Sequence, residues 1–355
     1  MTRALIAGAL LIALGGGAVW LAVGGDGGNA AHSGAPTTGP TFDERFPDSR
    51  SCQPCHEDVF DEWKDSQHAI AFLNPLVRRE DMADGFRKKD CIPCHAPRPV
   101  FEAGLGKSAR VLTRETARAE GVDCLSCHRV GEGVAASRPG LSGACNPVFR
   151  PELTSTDLCA PCHNQHNTID EWEASAPALR GTNCNGCHMP EVDRPATATR
   201  PARKGRSHAS HGGKDAQLLA SAATVDFALS AADDGGRVLD VTLTNTGCAH
   251  NFPTDARHRA VDVVVTLLGA RGEQVGPIAK LGPGEEGGSA RVRLRNPYRD
   301  EFGKTNTQLP SGERTTLHVP LVEGATSAEI KVLMKRTPFL SDAEAQVVST
   351  RTATW

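Results

Sequence analysis

The chain has 355 residues, room for about two domains, with 12 cysteines, 36 glycines and only 5% aromatic residues. Its formal charge of −3 gives no electrostatic ground for nucleic acid as a partner. So few large side chains exclude an ordinary bulky core along the whole length, and something else is expected to fill part of the interior.

In chain order, Arg3 opens an uncharged stretch from Ala4 to Val23. About 20 apolar residues span a bilayer core, whereas a cleaved export signal has a shorter apolar region of roughly 7–15 residues. Residues 1–24 therefore read as an N-terminal membrane anchor, with signal-peptide cleavage near Gly28-Asn29-Ala30 as the alternative. Both readings put the rest of the chain on the periplasmic side. Residues 25–45 follow as a flexible linker of small residues.

Residues 46–215 hold five copies of one pattern: Cys52–Cys55–His56, Cys91–Cys94–His95, Cys124–Cys127–His128, Cys159–Cys162–His163 and Cys184–Cys187–His188. Their spacing is irregular, so they are repeated attachment sites and not a solenoid. The best helix in this region is Asp58 to Phe72. Val59, Phe60, Trp63 and Ile70 share one side of it, and Asp61, Glu62, Lys64 and Asp65 the other.

From about residue 221 the pattern becomes alternating. Segments starting at Val225, Val238, Arg291, Thr316 and Glu329 read as half-buried strands, and Val261–Leu268 as a more buried one. The fold class is thus a mainly α/irregular region that carries the five motifs, followed by an all-β, Ig-like sandwich over residues 221–337. Residues 338–355 read as a C-terminal tail or short helix.

Cys-x-x-Cys-His is the attachment pattern of c-type haem. The two thiols form thioethers with the haem and the adjacent histidine becomes the proximal iron ligand. Zinc sites and disulfides also use cysteine pairs, but neither has a reason to place histidine directly after every pair. Five covalently attached haem c groups are therefore expected, held by the ten cysteines, with His56, His95, His128, His163 and His188 on the iron. Five large flat apolar groups would also supply the interior that the side chains do not.

Eight histidines remain. His32 falls in the linker, His318 in a strand and His258 in a solvated turn. That leaves His68, His166, His208, His211 and His250 as candidate distal ligands. His68 follows His56 by 12 residues, about 18 Å along a helix, too far to share its iron; it serves another haem or is a surface residue. His166 lies three residues after His163, on the same side of a helix, so it too belongs to another haem or is a polar neighbour. Methionine as a ligand would raise the potential; Met82 is the one candidate, because Met189 is tied to His188. Cys145 and Cys248, outside the five motifs, are expected to form a disulfide between the two regions.

Residues Cys52–His56 followed by Trp63-Lys64-Asp65-Ser66-Gln67-His68-Ala69, together with Gly121–His128, resemble the cytochrome c-554 family, multihaem cytochromes typified by a tetrahaem protein. The resemblance covers the first four motifs, about Ser51 to Asn167. It implies that His68 is a distal ligand to a different haem, and that the haem of His95 is five-coordinate. The chain departs from the family in its fifth motif and in its β region. It also has Ala135–Gly140 where the family places a distal histidine, so another histidine replaces that one or an iron is open.

Two functions compete. In the first, an exported pentahaem cytochrome transfers electrons between redox partner proteins through mostly bis-His haems. In the second, a redox enzyme acts on a small nitrogen or sulfur species at one open haem, with His95 the best candidate. The absence of a Cys-x-x-Cys-Lys site, which marks multihaem nitrite reductases, favours the carrier.

Overall fold

The fold alternates short helices with turns up to about residue 222, and long strands follow. It is seen in a computed structural model that describes residues 39–78, 91–254, 257–279, 287–298 and 301–355. The apolar stretch 4–23, His32 and Met82 lie outside the described residues. No helix among the described residues is long and apolar enough to cross a membrane. Pro40–Trp355 form one compact unit.

In the first part, four of the five cysteine motifs sit on helices of four or five residues: Ile92–His95, Cys124–His128, Ala160–His163 and Cys184–His188. The remaining motif closes the same turn, with His56 N–H donating to the Cys52 carbonyl at 3.0 Å. Caps fix where two of these turns begin. The Asp123 carboxylate accepts from Ser126 N–H at 2.7 Å and the Asn183 side chain from Gly186 N–H at 3.2 Å, satisfying donors that a helix start leaves unpaired. Small strands connect these pieces. β1 (Arg129–Val130), β2 (Gly133–Ala136) and β3 (Pro147–Phe149) form one sheet, and β4 (Glu191–Pro195) and β5 (Ala202–Arg206) form an antiparallel pair.

The helix expected over Asp58–Phe72 is shorter, at Glu57–Lys64. Beyond it Ser66 Oγ accepts from Ala69 N–H at 3.1 Å. A side-chain oxygen that competes in this way for backbone donors favours turns over helix, and the chain runs through turns to Leu73.

The second part is all β, in antiparallel sheets. β6 (Thr224–Ala231), β7 (Arg237–Thr244) and β10 (Arg314–Pro320) make a three-stranded sheet in the order β10-β7-β6. β8 (Ala260–Leu268), β9 (Ala290–Arg295), β11 (Ser327–Lys335) and β12 (Gln346–Thr354) make a four-stranded sheet in the order β12-β11-β8-β9. Alternate residues of both sheets meet in one core: Leu239, Val241 and Leu243 of β7 with Val261, Val263 and Val265 of β8 and Ile330 and Val332 of β11. The period-2 alternation of a strand puts these residues on one face.

The stretch expected as a tail is a correction: Gln346–Thr354 is a nine-residue edge strand paired along β11. Only Val348 and Ala353 of it are buried, so its sequence has too few apolar residues to announce a strand. The residues between, from Pro338 to Asp342, lie against the far side of the four-stranded sheet, where Pro338 and Asp342 accept from Arg293 and Arg291.

Candidate functional site

One turn of helix carries its residues i, i+3 and i+4 on a common side, and these are the offsets of the two cysteines and the histidine in each motif. All ten motif cysteines and all five motif histidines line a single cavity of about 3290 Å³. Ordinary small-molecule pockets run to about 1,000 Å³. The thiols meet across motifs: Cys52 hydrogen-bonds to Cys124, Cys94 to Cys162 and Cys159 to Cys184. These bonds raise the pKa of Cys52, Cys162 and Cys159, lower that of Cys124, and take Cys184 down to about 7. The attachment points of the first and third, second and fourth, and fourth and fifth motifs are therefore adjacent.

Four of the five motif histidines are oriented alike. His56 Nδ1 lies 2.6 Å from the Ala196 carbonyl, His95 Nδ1 2.8 Å from Ala71, His128 Nδ1 3.0 Å from Ala135 and His188 Nδ1 2.6 Å from His211. A backbone carbonyl on Nδ1 fixes the tautomer and leaves Nε2 as a basic electron pair, the usual support of a metal-bound imidazole.

Three remote histidines face three of these rings. The ring centres of His68 and His163 are 6.1 Å apart, those of His128 and His208 6.2 Å, and those of His188 and His250 6.2 Å. An imidazole nitrogen lies about 1.1 Å from its ring centre and binds a metal at about 2 Å, so rings on opposite sides of one metal centre about 6 Å apart. The facing histidines also have Nδ1 engaged, with Ser210 Oγ at 3.1 Å for His68, the Arg206 carbonyl at 2.9 Å for His208 and the Asn251 carbonyl at 2.9 Å for His250. Burial, then the neighbouring imidazoles of His163, His188 and His208, pushes His68 down to about 4. Burial, then His128 and Arg194, takes His208 to about 4 as well. His128 is also lowered by burial. Neutral imidazoles in this setting suit a metal.

The other candidates are placed differently. His166 and His211 line the cavity; His211 Nδ1 is 2.6 Å from Asp215 Oδ2. Among the described residues, neither His56 nor His95 has an imidazole facing it at the ligand spacing. His258 also borders the cavity, with Nδ1 3.0 Å from the Tyr298 hydroxyl. His318 is on an exposed strand face against Asp240, as its sequence context implies. Cys145 and Cys248 are unbonded, which corrects the expected bridge. Cys145 acts electrostatically on Cys52 and Cys248 is influenced by Cys187, with burial pushing the Cys248 thiol up to about 12. They border opposite members of the motif series.

Three supports were not read from sequence. Glu62, assigned to the solvent side of its helix, pairs with Arg194 at 2.7 Å and accepts from His208 N–H at 2.7 Å, fixing the His208 segment. Gly121 has φ +62°, and a Cβ there would lie 2.3 Å from the His68 carbonyl oxygen. Val122 N–H donates to that same carbonyl at 2.9 Å. Gly121→Ala is therefore expected to destabilise the protein by more than ~1 kcal/mol in a denaturant titration. Gly131→Ala, at φ +53° but in open space, should cost less; equal losses would mean that the approach to His68 does not matter. The third support is a set of cationic groups bordering the cavity from the β region: Arg257, Arg293, Arg295 and Lys304.

The cavity, its paired imidazoles and its ten cysteines fit haem c better than any other group. The pattern of the family described as "Cytochrome c554 and c-prime" matches residues 51–129. Cytochrome c-554 of Nitrosomonas europaea is 32% identical over 173 residues, covering 42% of this chain and 68% of that protein. The chain belongs to the cytochrome c-554 family. As a cytochrome c-554 relative, it is a multihaem protein whose cysteine motifs carry haem c, the group that supplies reversible one-electron chemistry. The solved structure of a penta-heme cytochrome c552 from Thermochromatium tepidum has the same fold, with a TM-score of 0.66 at 18% identity. The match covers 89% of this chain and all of that one, so the fold likeness includes most of the β region, beyond the c-554 match.

Proposed function

We propose that this is an exported pentahaem cytochrome that passes electrons between redox partner proteins. The observation that carries the reading is the set of three imidazole pairs at 6.1–6.2 Å, each joining a motif histidine to one far away in sequence. In this reading the irons of His128, His163 and His188 have two histidine ligands, supplied by His208, His68 and His250. The adjacent thiols across motifs support close haem packing, which lets electrons pass along the series. The fifth motif has the same local geometry as the other four, and a penta-heme protein shares the fold. The β region is read as an Ig-like sandwich that delivers His250 to the fifth haem. Export, with residues 1–24 as an anchor or cleaved signal, puts the motifs where haem c attachment takes place.

A second reading is favoured by one observation: His56 and His95 have no facing imidazole among the described residues. The irons there would be open to small ligands such as nitric oxide, and the family resemblance singles out His95. His166 and His211, candidate distal ligands from the sequence, then act as polar neighbours of the haems.

The haem count is tested by a pyridine haemochrome assay with intact-protein mass measurement, expected to give five haems per chain. Four or fewer would show that a motif is not loaded. For the second reading, reduced protein should bind carbon monoxide at about two of its haems; no binding would remove the open irons.

A further inference from the structure

The ring of His208, which faces that of His128, is held by groups that the pairing of the two imidazoles does not itself require. Its Nδ1 lies 2.9 Å from the Arg206 carbonyl, and the same carbonyl accepts from Arg194 Nη2 at 2.9 Å. Arg194 Nη2 is also 3.4 Å from His208 Nδ1. Two donors, the ring N–H and a guanidinium, thus meet on one acceptor. Glu62 completes the group. Its carboxylate meets Arg194 Nε at 2.7 Å and Nη2 at 3.2 Å, and accepts from His208 N–H at 2.7 Å. The Arg194 and Glu62 side chains are 11% and 22% exposed, so their charges are only weakly screened.

The group joins parts of the chain that are far apart. Glu62 is on the helix Glu57–Lys64 that follows the first motif, Arg194 is on β4, and His208 lies just past β5, where Arg206 pairs with Glu191. The two-point contact of a guanidinium with a carboxylate fixes both side chains in one geometry. The two charges bear unequally on the ring: the guanidinium is 3.4 Å from Nδ1 and the nearer Glu62 oxygen 4.0 Å. A hydrogen bond from Nδ1–H makes an imidazole a more basic ligand. A carbonyl already shared with a guanidinium accepts that bond less strongly, which favours the reduced form of a metal on Nε2.

We propose that Glu62 and Arg194 are positioning residues for His208, and that their opposed charges set the midpoint potential of the haem held by His128. The proposal rests on the reading of His208 as a ligand to that iron. Hydrogen bonding and charge around an axial ligand are levers on a haem potential. Arg194 raises the midpoint of this haem and Glu62 lowers it.

The test uses the full haem-loaded protein with Glu62→Gln, Arg194→Gln, both together, and Arg194→Lys as the conservative variant. Glu62→Gln keeps the shape and an oxygen for His208 N–H. Potentiometric titration is followed by low-temperature electron paramagnetic resonance, and His208→Ala marks the haem in question by turning its low-spin signal high-spin. At a fixed potential the ratio of reduced to oxidised haem should rise about threefold in Glu62→Gln and fall about threefold in Arg194→Gln. The double variant should lie between the two and Arg194→Lys near the wild type, with the low-spin signal kept throughout. Shifts of the same sign in both single variants, or none in either, would overturn the proposal, because the pair would then only hold the fold. His208→Ala with every low-spin signal intact would instead overturn the pairing of His208 with His128, and the proposal with it.

Discussion

Asp262→Ala is expected to destabilise the β region by about 3–5 kcal/mol, the usual cost of breaking a buried ion pair by removing one partner. Asp262 is on β8 but on the side away from the core, and it is fully buried. Its carboxylate meets Arg293 twice, Arg291 Nη1 at 3.4 Å and Lys335 Nζ at 3.3 Å. Arg291 and Lys335 are 1% and 0% exposed, and both also reach Asp342. Among the described residues, three cations and two carboxylates are therefore packed under the Pro338–Asp342 segment. Without Asp262, Arg293 loses the two-point carboxylate contact and Arg291 and Lys335 each lose one of their acidic contacts, keeping the one to Asp342. Asp262→Asn keeps the shape and loses the charge, so it should lose much of the same stability. Chemical denaturation followed by far-ultraviolet circular dichroism measures both; a loss below about 1 kcal/mol in the Ala variant, the range of an exposed pair, would contradict the account.

His68→Ala is expected to convert one haem, that of His163, from low-spin to high-spin, leaving the other spectra in place. His68 faces His163 at 6.1 Å, and its backbone is held by Val122 while Ser210 meets its Nδ1. The substitution removes the imidazole and leaves a space of its own shape, so added imidazole should restore the low-spin spectrum. A histidine with only a packing role would show neither the change in spin state nor the rescue. An unchanged electronic spectrum in the variant would mean that His68 is not a ligand.

The attachment motifs were legible in the sequence because each is local: Cys, Cys and His at offsets 0, 3 and 4 need only one helical turn. The partnership of His68 was legible only in part. Its 12-residue distance from His56 excluded a shared iron, but the ring it faces, that of His163, depends on how turns after Lys64 fold back on Val122. His208 and His250 were recognisable as candidates because His32, His258 and His318 had other readings, and the rings they face were not readable. Five β strands were readable from their alternation, and Val261–Leu268 as a more buried one. Gln346–Thr354 was not, because an edge strand with two buried residues has almost no pattern. Glu62 escaped because a charged residue on an amphipathic helix looks solvated until its partner, Arg194, distant in sequence, is known.

The central claim is that the irons of His128, His163 and His188 lie between two histidines, while those of His56 and His95 have no facing imidazole among the described residues. Low-temperature electron paramagnetic resonance with spin counting on the oxidised, fully loaded protein tests it most directly. The account predicts low-spin signals from three haems, those of His128, His163 and His188, and high-spin signals from two, those of His56 and His95. Fewer than three low-spin haems would contradict the imidazole pairing, and five would contradict the open irons.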